Sequence, residues 1–488
     1  MLDSGGRFGA RGRNVDDRVR TNWAGNQQST PAVLVRPRSV PELRAAVRHA
    51  VAIGQTPCVV RGSMHSWSPV AIQEGGTAFD LRAMVSPPRI DAAAGTATVS
   101  AAMWLDEVGE ALAEVGLALP FVPTIGDITA AGAAATDSHG ADRIDGRFID
   151  LVRSLRLIDG LGRDIFIDAQ GCFRVPEEGP MEPLIAGAMP LFVARAHLGL
   201  LGAVHELTLR CVPAFDLAFV QAAARERAAF GRGYAKLRAF LDSHEHSDFF
   251  WFRPWARVLM RASDTTTQPR APRGWLARRL IDGLFRTRVG SAAIRLCGTL
   301  PFLTPVVSLA AAHTFLGRTV LRDRSDRVAT YLPGHVRQDV HFQTMEYGIP
   351  YGRMEDGLEI VRDVTRGFAT PVPLYVRRVG DTLHVEFIWP DGLRGGRATA
   401  RALEARLVDA FGGAAMPHPG KLCFQNPVNR MPLQQRQDFL ALKRELDPQG
   451  VFTNSWMREY LAGTPDLGPF MHTWRGAASS SSPATRSG

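Results

Sequence analysis

At 488 residues, with 45% apolar and 22% charged side chains, the chain has the make-up of a globular protein with room for two or three domains. Five scattered cysteines (Cys58, Cys172, Cys211, Cys297, Cys423) form no C-x-x-C pair, which argues against a thiolate zinc site or a disulfide framework and points to a reducing compartment, the cytoplasm. The formal charge of +9 comes mostly from arginine spread along the chain, with no basic-aromatic module, so no nucleic-acid partner is expected.

In chain order, residues 1–21 are Gly/Arg-rich, lack the apolar run of a signal peptide, and are expected to be flexible. "AVLVRP" reads as a strand. "SVPELRAAVRHAVAIG" reads as a helix with Ser39 as cap, Glu42 three residues on, Gly54 at the end, and Leu43, Val47 and Val51 on one face. "PCVV" is the next strand, making a β-α-β unit, and the turn "RGSMHSWSP" (Arg61–Pro69) leaves its carboxyl end, where ligands of such units commonly sit. "TAFDL" and "TATVSA" are further strands, and "WLDEVGEALAEVG" is a helix ending at Gly116. "GDITAAGAAATDSHG" (126–140) has almost no bulky side chains. "LVRSLRLIDGLGRDIFIDA" reads as a hairpin around Asp159-Gly160, and "GAVHELTLRCV" closes the first region near Pro213.

Beyond it, Arg270, Arg273, Arg278, Arg279, Arg286 and Arg288 precede a run, 296–317, without Asp, Glu, Lys or Arg. Pro301 and Pro305 argue against a single membrane-crossing helix. A buried hairpin and an element lying on a membrane surface stay open for this stretch. Further on come the helix "MEDGLEIVRDVTRGF", strands "LYVRRV" and "LHVEFIW", the helix "ATARALEARLVDAFGG", the loop "MPHPGKLCFQNP", the helix "LQQRQDFLALKREL" and a terminal turn, "DPQGVFTNSW". Residues 463–488 read as a disordered tail.

Two stretches carry chemistry. In "RGSMHSWSP", turn N–H groups can form an anion-binding nest, Gly62 and Ser63 permit close approach, and Ser66 adds a hydroxyl. His65 alone would as readily be structural. In 126–140, small residues would let backbone lie flat against a large planar ligand, with Thr129, Thr136, Ser138 and His139 as polar groups. A tightly packed loop is the other reading. There is no G-x-G-x-x-G after a strand and no G-x-x-x-x-G-K-[ST], so neither a Rossmann site nor a P-loop explains these glycines.

Together these stretches resemble the flavoproteins of the vanillyl-alcohol oxidase fold, in the aldonolactone oxidase and alditol oxidase branch. "RGSMHSWSP" is similar to a first flavin loop, Gly-x-Gly-His-Ser, and "GDITAAGAAATDSHG" to a second ending Gly-Thr-His-Gly. "FVARAHLGLLGAVHELTLRCVP", "HFQTMEYGIP", "HPGKL" and "LDPQGVFTNSW" match later parts in order, so the resemblance covers about 22–462.

The resemblance implies an α+β fold. A two-subdomain FAD-binding domain of PCMH type (22–213) would be followed by an antiparallel-sheet cap with flanking helices (214–419) and a segment returning to the flavin (420–462). It implies bound FAD, joined to His65 through the flavin 8α-methyl. Arg61, Gly62, Ser63, Met64 and Ser66 would surround it at the first loop. Gly126, Thr129, Gly132, Thr136, Ser138, Gly140, Gly202 and Val204 would line its other parts. Lys421 matches the lysine of His-x-x-Lys, and Arg377 the arginine of Glu-x-Arg.

Departures fall mainly on the substrate side. Met64 replaces a glycine, Asp137-Ser138 replace Gly-Thr, Tyr375 stands for the Glu of Glu-x-Arg, Glu386 for a substrate-facing His, and Pro419 for a Trp. Tyr375, Glu386 and Glu346 are the candidate proton acceptors. The expected activity is oxidation of a CH–OH group of a sugar lactone or polyol, with O₂ or another acceptor reoxidising the flavin. Pro123 lies near the position where relatives gate oxygen. A lipid-linked sugar met at a membrane through 270–317, and a flavin-bound protein without turnover, are the alternatives.

Overall fold

The computed structural model describes residues 17–144, 146–271, 292, 296–297, 299–303, 306, 319–329 and 341–471. The arginine flank from Arg273 to Arg288, most of the low-charge run after it, and residues 1–16 and 472–488 of the tails lie outside the described residues, whereas 463–471, expected to be disordered, is ordered with Leu467 and Met471 buried. Among the described residues no helix is long and apolar enough to cross a membrane.

The first sheet is parallel and has three strands, Val33–Val35, Thr77–Asp80 and Cys58–Arg61, in that spatial order. The expected β-α-β pair is therefore split, because Thr77–Asp80 inserts between its two strands. The helix Val40–Ala52 is capped as its sequence foretells: Glu42 N–H donates to Ser39 Oγ at 3.3 Å. The reciprocal bond goes to the Arg38 N–H (2.8 Å) rather than to Ser39. Leu43 and Val47 are fully buried against Cys58 and Phe79, worth about 1.5–3 kcal/mol each.

A second, wholly antiparallel sheet of seven strands runs Glu182–Ala186, Gly171–Val175, Asp164–Asp168, Val152–Ile158, Ala203–Arg210, Thr96–Ser100 and Arg89–Asp91. The Asp159-Gly160 hairpin joins Val152–Ile158 to Asp164–Asp168 as expected. The small-residue stretch forms a short helix, Ala130–Ala135, that packs against Ala203–Arg210.

The third sheet has eight antiparallel strands in the order Thr319–Arg324, Asp216–Arg225, Arg257–Thr266, His246–Phe252, Leu374–Val379, Thr382–Pro390, Phe342–Pro350 and Met416–Pro417. Strand alternation splits its residues cleanly. Phe249, Trp251, Met345, Tyr347, Val376, Val385 and Phe387 face helices Ala235–Ser243, Met354–Val364 and Gly396–Phe411 and form the largest apolar core. Asp248, Thr344, Glu346, Tyr375, Arg377, His384 and Glu386 occupy the alternate positions and share the opposite face.

The last described segment returns to the first sheet. Helix Leu433–Leu446 packs against Met189–Ala194. Asp447 then accepts from Lys443 Nζ (2.7 Å), Val451 N–H (2.7 Å) and Phe452 N–H (3.0 Å), and Val451 O accepts from Cys58 N–H at 2.7 Å. "DPQGVFTNSW" is thus not terminal: Asn454 caps a further helix, Ser455–Ala462, while its side-chain N–H₂ donates to Pro69 O and Ile72 O.

Removing the Asp447 carboxylate strands a buried ammonium and two N–H groups. Asp447→Ala is expected to cost about 3–5 kcal/mol in urea unfolding, against under ~1 kcal/mol for an exposed carboxylate such as Glu110→Ala. His197 supplies a second check. It is buried, its Nδ1 accepts from Gly199 N–H at 2.9 Å, and burial pushes its pKa from 6.5 down to about 4. The unfolded chain therefore binds the extra proton, so this stability is complete above pH ~6.5 and is lost as pH falls toward ~4, by up to about 1.4 kcal/mol per pH unit. Between pH 7 and 4.5 the Tm of wild type should fall more steeply than that of His197→Asn.

Candidate active site

A long cavity, about 1380 Å³ counting its mouth, runs along the carboxyl end of Cys58–Arg61, past helix Ala130–Ala135, to the polar face of the eight-stranded sheet. Arg61, Gly62, Ser63, Met64, His65 and Ser66 line one wall, and Thr129, Ala131, Gly132, Ala135, Thr136 and Ser138 another. Gly202 and Val204 lie behind, and Arg377, His418 and Lys421 stand at one end.

The walls suit a flat ring system. A Cβ on Gly62 would lie 2.7 Å from Thr129 Oγ1, and one on Gly132 would lie 2.8 Å from the same atom. The first loop therefore closes on the cap of the helix because Gly62 has no side chain, while Gly132 leaves room for the Thr129 cap of its own helix. Ala131 and Ala135 present nothing larger than a methyl group.

The backbone explains two sequence departures. Met64 has φ 56° and Asp137 φ 54°, the left-handed region in which glycine is free of strain. A non-glycine residue there costs about 1–2 kcal/mol. Asp137 recovers part of this through a two-point pair with Arg147 (3.0 and 2.7 Å). Nothing in the structure similarly compensates Met64.

His65 sits in this turn with its ring stacked on Trp23 (centroids 5.8 Å, 25°). Its Nε2 is 3.5 Å from Asp127 Oδ2.

At the far end the polar sheet face supplies a connected ionic cluster. Arg377 donates to Glu346 Oε1 from Nη2 (2.8 Å) and Nε (3.2 Å), and to Glu386 Oε2 from Nη2 (3.0 Å). Lys421 Nζ donates to Glu386 Oε1 at 2.9 Å, as does Thr344 Oγ1 at 2.8 Å. Lys421 Nζ also lies 4.0 Å from the centre of the Trp67 ring, a cation–π contact. His139 Nε2 donates to Glu346 Oε1 at 2.8 Å, and His384 Nδ1 lies 3.3 Å from that oxygen.

Burial alone would raise Glu346, but Arg377, His139 and His384 hold it well below the usual carboxylate range. Burial lowers His139, so its ring is neutral. Burial, with Lys421 and Arg377 nearby, pushes His418 down to about 3. Its Nδ1 accepts from Gly420 N–H at 3.0 Å, so the neutral ring keeps its proton on Nε2. His139, Glu346 and His384 offer three ligand atoms within 4.8 Å of one another, as a metal site would. The Arg377 guanidinium, however, already holds the same carboxylate oxygen and supplies its counter-charge.

The structure thus gathers Lys421, Arg377 and Glu386, and it separates other residues singled out from sequence. Glu346 is fully buried and off the cavity wall. Tyr375 is buried too: its O–H donates to Asp248 (3.0 Å), it accepts from Arg261 (3.3 Å), and burial beside Asp248 pushes its pKa up. Neither is placed to take a proton from a molecule in the cavity. Gly126 and Gly140 do not line it. A Cβ on Gly126 would strike the Asp106 carboxylate (1.7 Å) and one on Gly140 the Val122 carbonyl (2.7 Å), so both serve close packing. His384 and His418 carry no expectation from sequence, and His139, expected only as a polar group of the second loop, meets Glu346. His418 opens "HPGKL" and His139 sits in "DSHG", while His384 lies two residues before Glu386 and so on its strand face.

Comparison with known proteins agrees with this geometry. An FAD binding domain model matches residues 31–165, and a D-arabinono-1,4-lactone oxidase model matches 207–410. An L-gulono-1,4-lactone dehydrogenase of Mycobacterium tuberculosis is 27% identical over 460 residues, covering 90% of this chain and 98% of its own. An alditol oxidase of a Streptomyces species is 27% identical over 476 residues, covering 91% and 99%. A solved cholesterol oxidase from B. sterolicum superposes with a TM-score of 0.72 at 14% identity, covering 91% of this chain and 96% of that one, which shows a shared fold. The two matched domains in tandem, the full-length relatives and the flat-walled cavity identify the chain as a member of the FAD-dependent oxidoreductases of the aldonolactone oxidase and alditol oxidase family.

Proposed function

We propose that this protein oxidises a CH–OH group of a sugar lactone or polyol. The observation that carries the reading is the Lys421–Glu386–Arg377 cluster at the end of the cofactor cavity. The relatives named above support the substrate class. Bound FAD supplies the hydride acceptor, and the protein supplies binding, orientation and electrostatics.

Lys421 and Arg377 place two positive charges where a substrate oxygen becomes electron-rich, and such charges act most strongly away from water. The His418 Nε2–H is a further donor and, in this tautomer, not a base. The proton acceptor is the Lys421–Glu386 couple. Lys421 first hands a proton to the carboxylate 2.9 Å behind it, and the amine so formed then takes the hydroxyl proton and regains its charge. The buried pair of Glu346 and His139 holds Arg377 in place for this step. The division of labour that goes with this reading gives 22–213 the cofactor and 214–419 the substrate, and brings 420–462 back with Lys421. The three- and seven-stranded sheets, which lie within 22–213, and the eight-stranded sheet, which lies within 214–419, support it.

We also propose that His65 holds the flavin covalently, since it lines the cavity at the first loop. Acid-precipitated protein should retain its yellow colour, and His65→Ala should release it. Loss of all flavin from the wild-type pellet would remove this part of the reading.

The activity is tested by anaerobic mixing with a panel of aldonolactones and alditols. Bleaching near 450 nm is expected, and no bleaching with any member would count against the substrate class. Admitting air distinguishes an oxidase from a dehydrogenase, which matters because the relatives' names divide between the two. Glu386→Gln should keep its flavin yet slow anaerobic bleaching by about 10²–10⁴. Bleaching at the wild-type rate would exclude Glu386 as proton acceptor.

A further inference from the structure

Asp127 has no part in the reaction just described, yet it faces the one histidine of the first flavin loop. Three observations fix this pair. Trp23 stacks on the His65 ring, and its backbone N–H donates to Met64 O at 2.8 Å, which holds the loop beside it. Asp127 is pinned on both sides: Gly126 O accepts from Asp106 N–H and Ile128 O from Leu105 N–H, each at 3.0 Å. Asp127 Oδ2 then stands 3.5 Å from His65 Nε2, on a side chain half exposed to water.

We propose that Asp127 is the positioning residue and proton acceptor for attachment of the flavin to His65, an inference that rests on the covalent link proposed above. A carboxylate facing Nε2–H selects the tautomer whose lone pair lies on Nδ1, the same use of a carboxylate that activates a histidine elsewhere in enzymes. In the attachment step, a bond forms between that nitrogen and the flavin 8α-carbon. One C–H bond of the 8α-methyl and one imidazole N–H bond break. The electron pair stays on the flavin, which is left reduced by two electrons, and dioxygen then takes those electrons. Positive charge grows on the imidazole as the bond forms. Asp127 offsets that charge, takes the Nε2 proton, and passes it to the water at its exposed side.

The test uses the full-length chain made in riboflavin-starved cells and then mixed with FAD in air. Bound flavin is read from its absorption band. Covalent flavin is read over time as fluorescence that stays with the protein after acid quenching and a denaturing gel. Wild type should attach its flavin. Asp127→Asn should bind FAD but attach it at least tenfold more slowly, with a rate that climbs as pH rises. Asp127→Glu should recover much of the rate.

Attachment by Asp127→Asn at the wild-type rate and with the wild-type pH profile would overturn the proposal. Loss of FAD binding in both Asp127 variants would also overturn it, since Asp127 would then serve to hold the cofactor. The underlying reading fails separately: wild type would show no covalent flavin, or His65→Ala would keep it.

Discussion

Glu346 carries a charge that no water reaches, so protein groups alone must answer it. Arg377 does so from a strand one removed in the sheet, and His139 from the loop after the small-residue helix. The first contact is internal to the large sheet. The second ties that sheet to the cofactor side of the molecule. Breaking a buried pair of this kind leaves an uncompensated charge, a large fraction of a protein's net stability. The same oxygen therefore fixes how the polar sheet face meets the cavity and which way the guanidinium points. Glu386 then follows from Arg377 by direct contact, and Lys421 from Glu386.

This constraint gives sense to the altered substrate side. Tyr375 and Glu386 depart from the family pattern at two positions, and they are direct partners across neighbouring strands. Where the pattern has a carboxylate at 375 and an imidazole at 386, this chain has an aromatic ring and a carboxylate. The Arg377 guanidinium lies 4.5 Å from the centre of the Tyr375 ring and reaches over to Glu386. The negative charge has moved one strand across the sheet while staying beside the same arginine. His384, on the same face, provides an imidazole two residues from where the pattern places it.

Much of this was legible in the sequence, because the signals were local. Ser39, Glu42 and Gly54 mark their helix through chemistry confined to a few residues, and the Asp159-Gly160 turn does the same for its hairpin. The loop 61–66 was marked by its glycine turn after a strand and 126–140 by its small residues, and it was their combination with the later motifs that carried the resemblance. What sequence could not supply was the third dimension of the sheets. Strand order decides that Thr77–Asp80 splits the β-α-β pair, and it puts Glu346 under Arg377 rather than beside substrate. Gly126 and Gly140 look like their neighbours in sequence and differ only in what a Cβ would strike. The resemblance marked 64 and 137 as glycine positions, and the positive φ angles supply the reason.

The return of the chain to its beginning has a consequence for biogenesis. Phe452 and Met457 belong to the cavity wall, and Val451 accepts from the first residue of the Cys58–Arg61 strand. The groups that shape the cofactor's surroundings are thus separated by some 390 positions of polypeptide. A nascent chain still tethered to the ribosome has its first flavin loop outside long before the segment that completes it has been made. The cavity wall is therefore complete only once the polypeptide has been made through Met457.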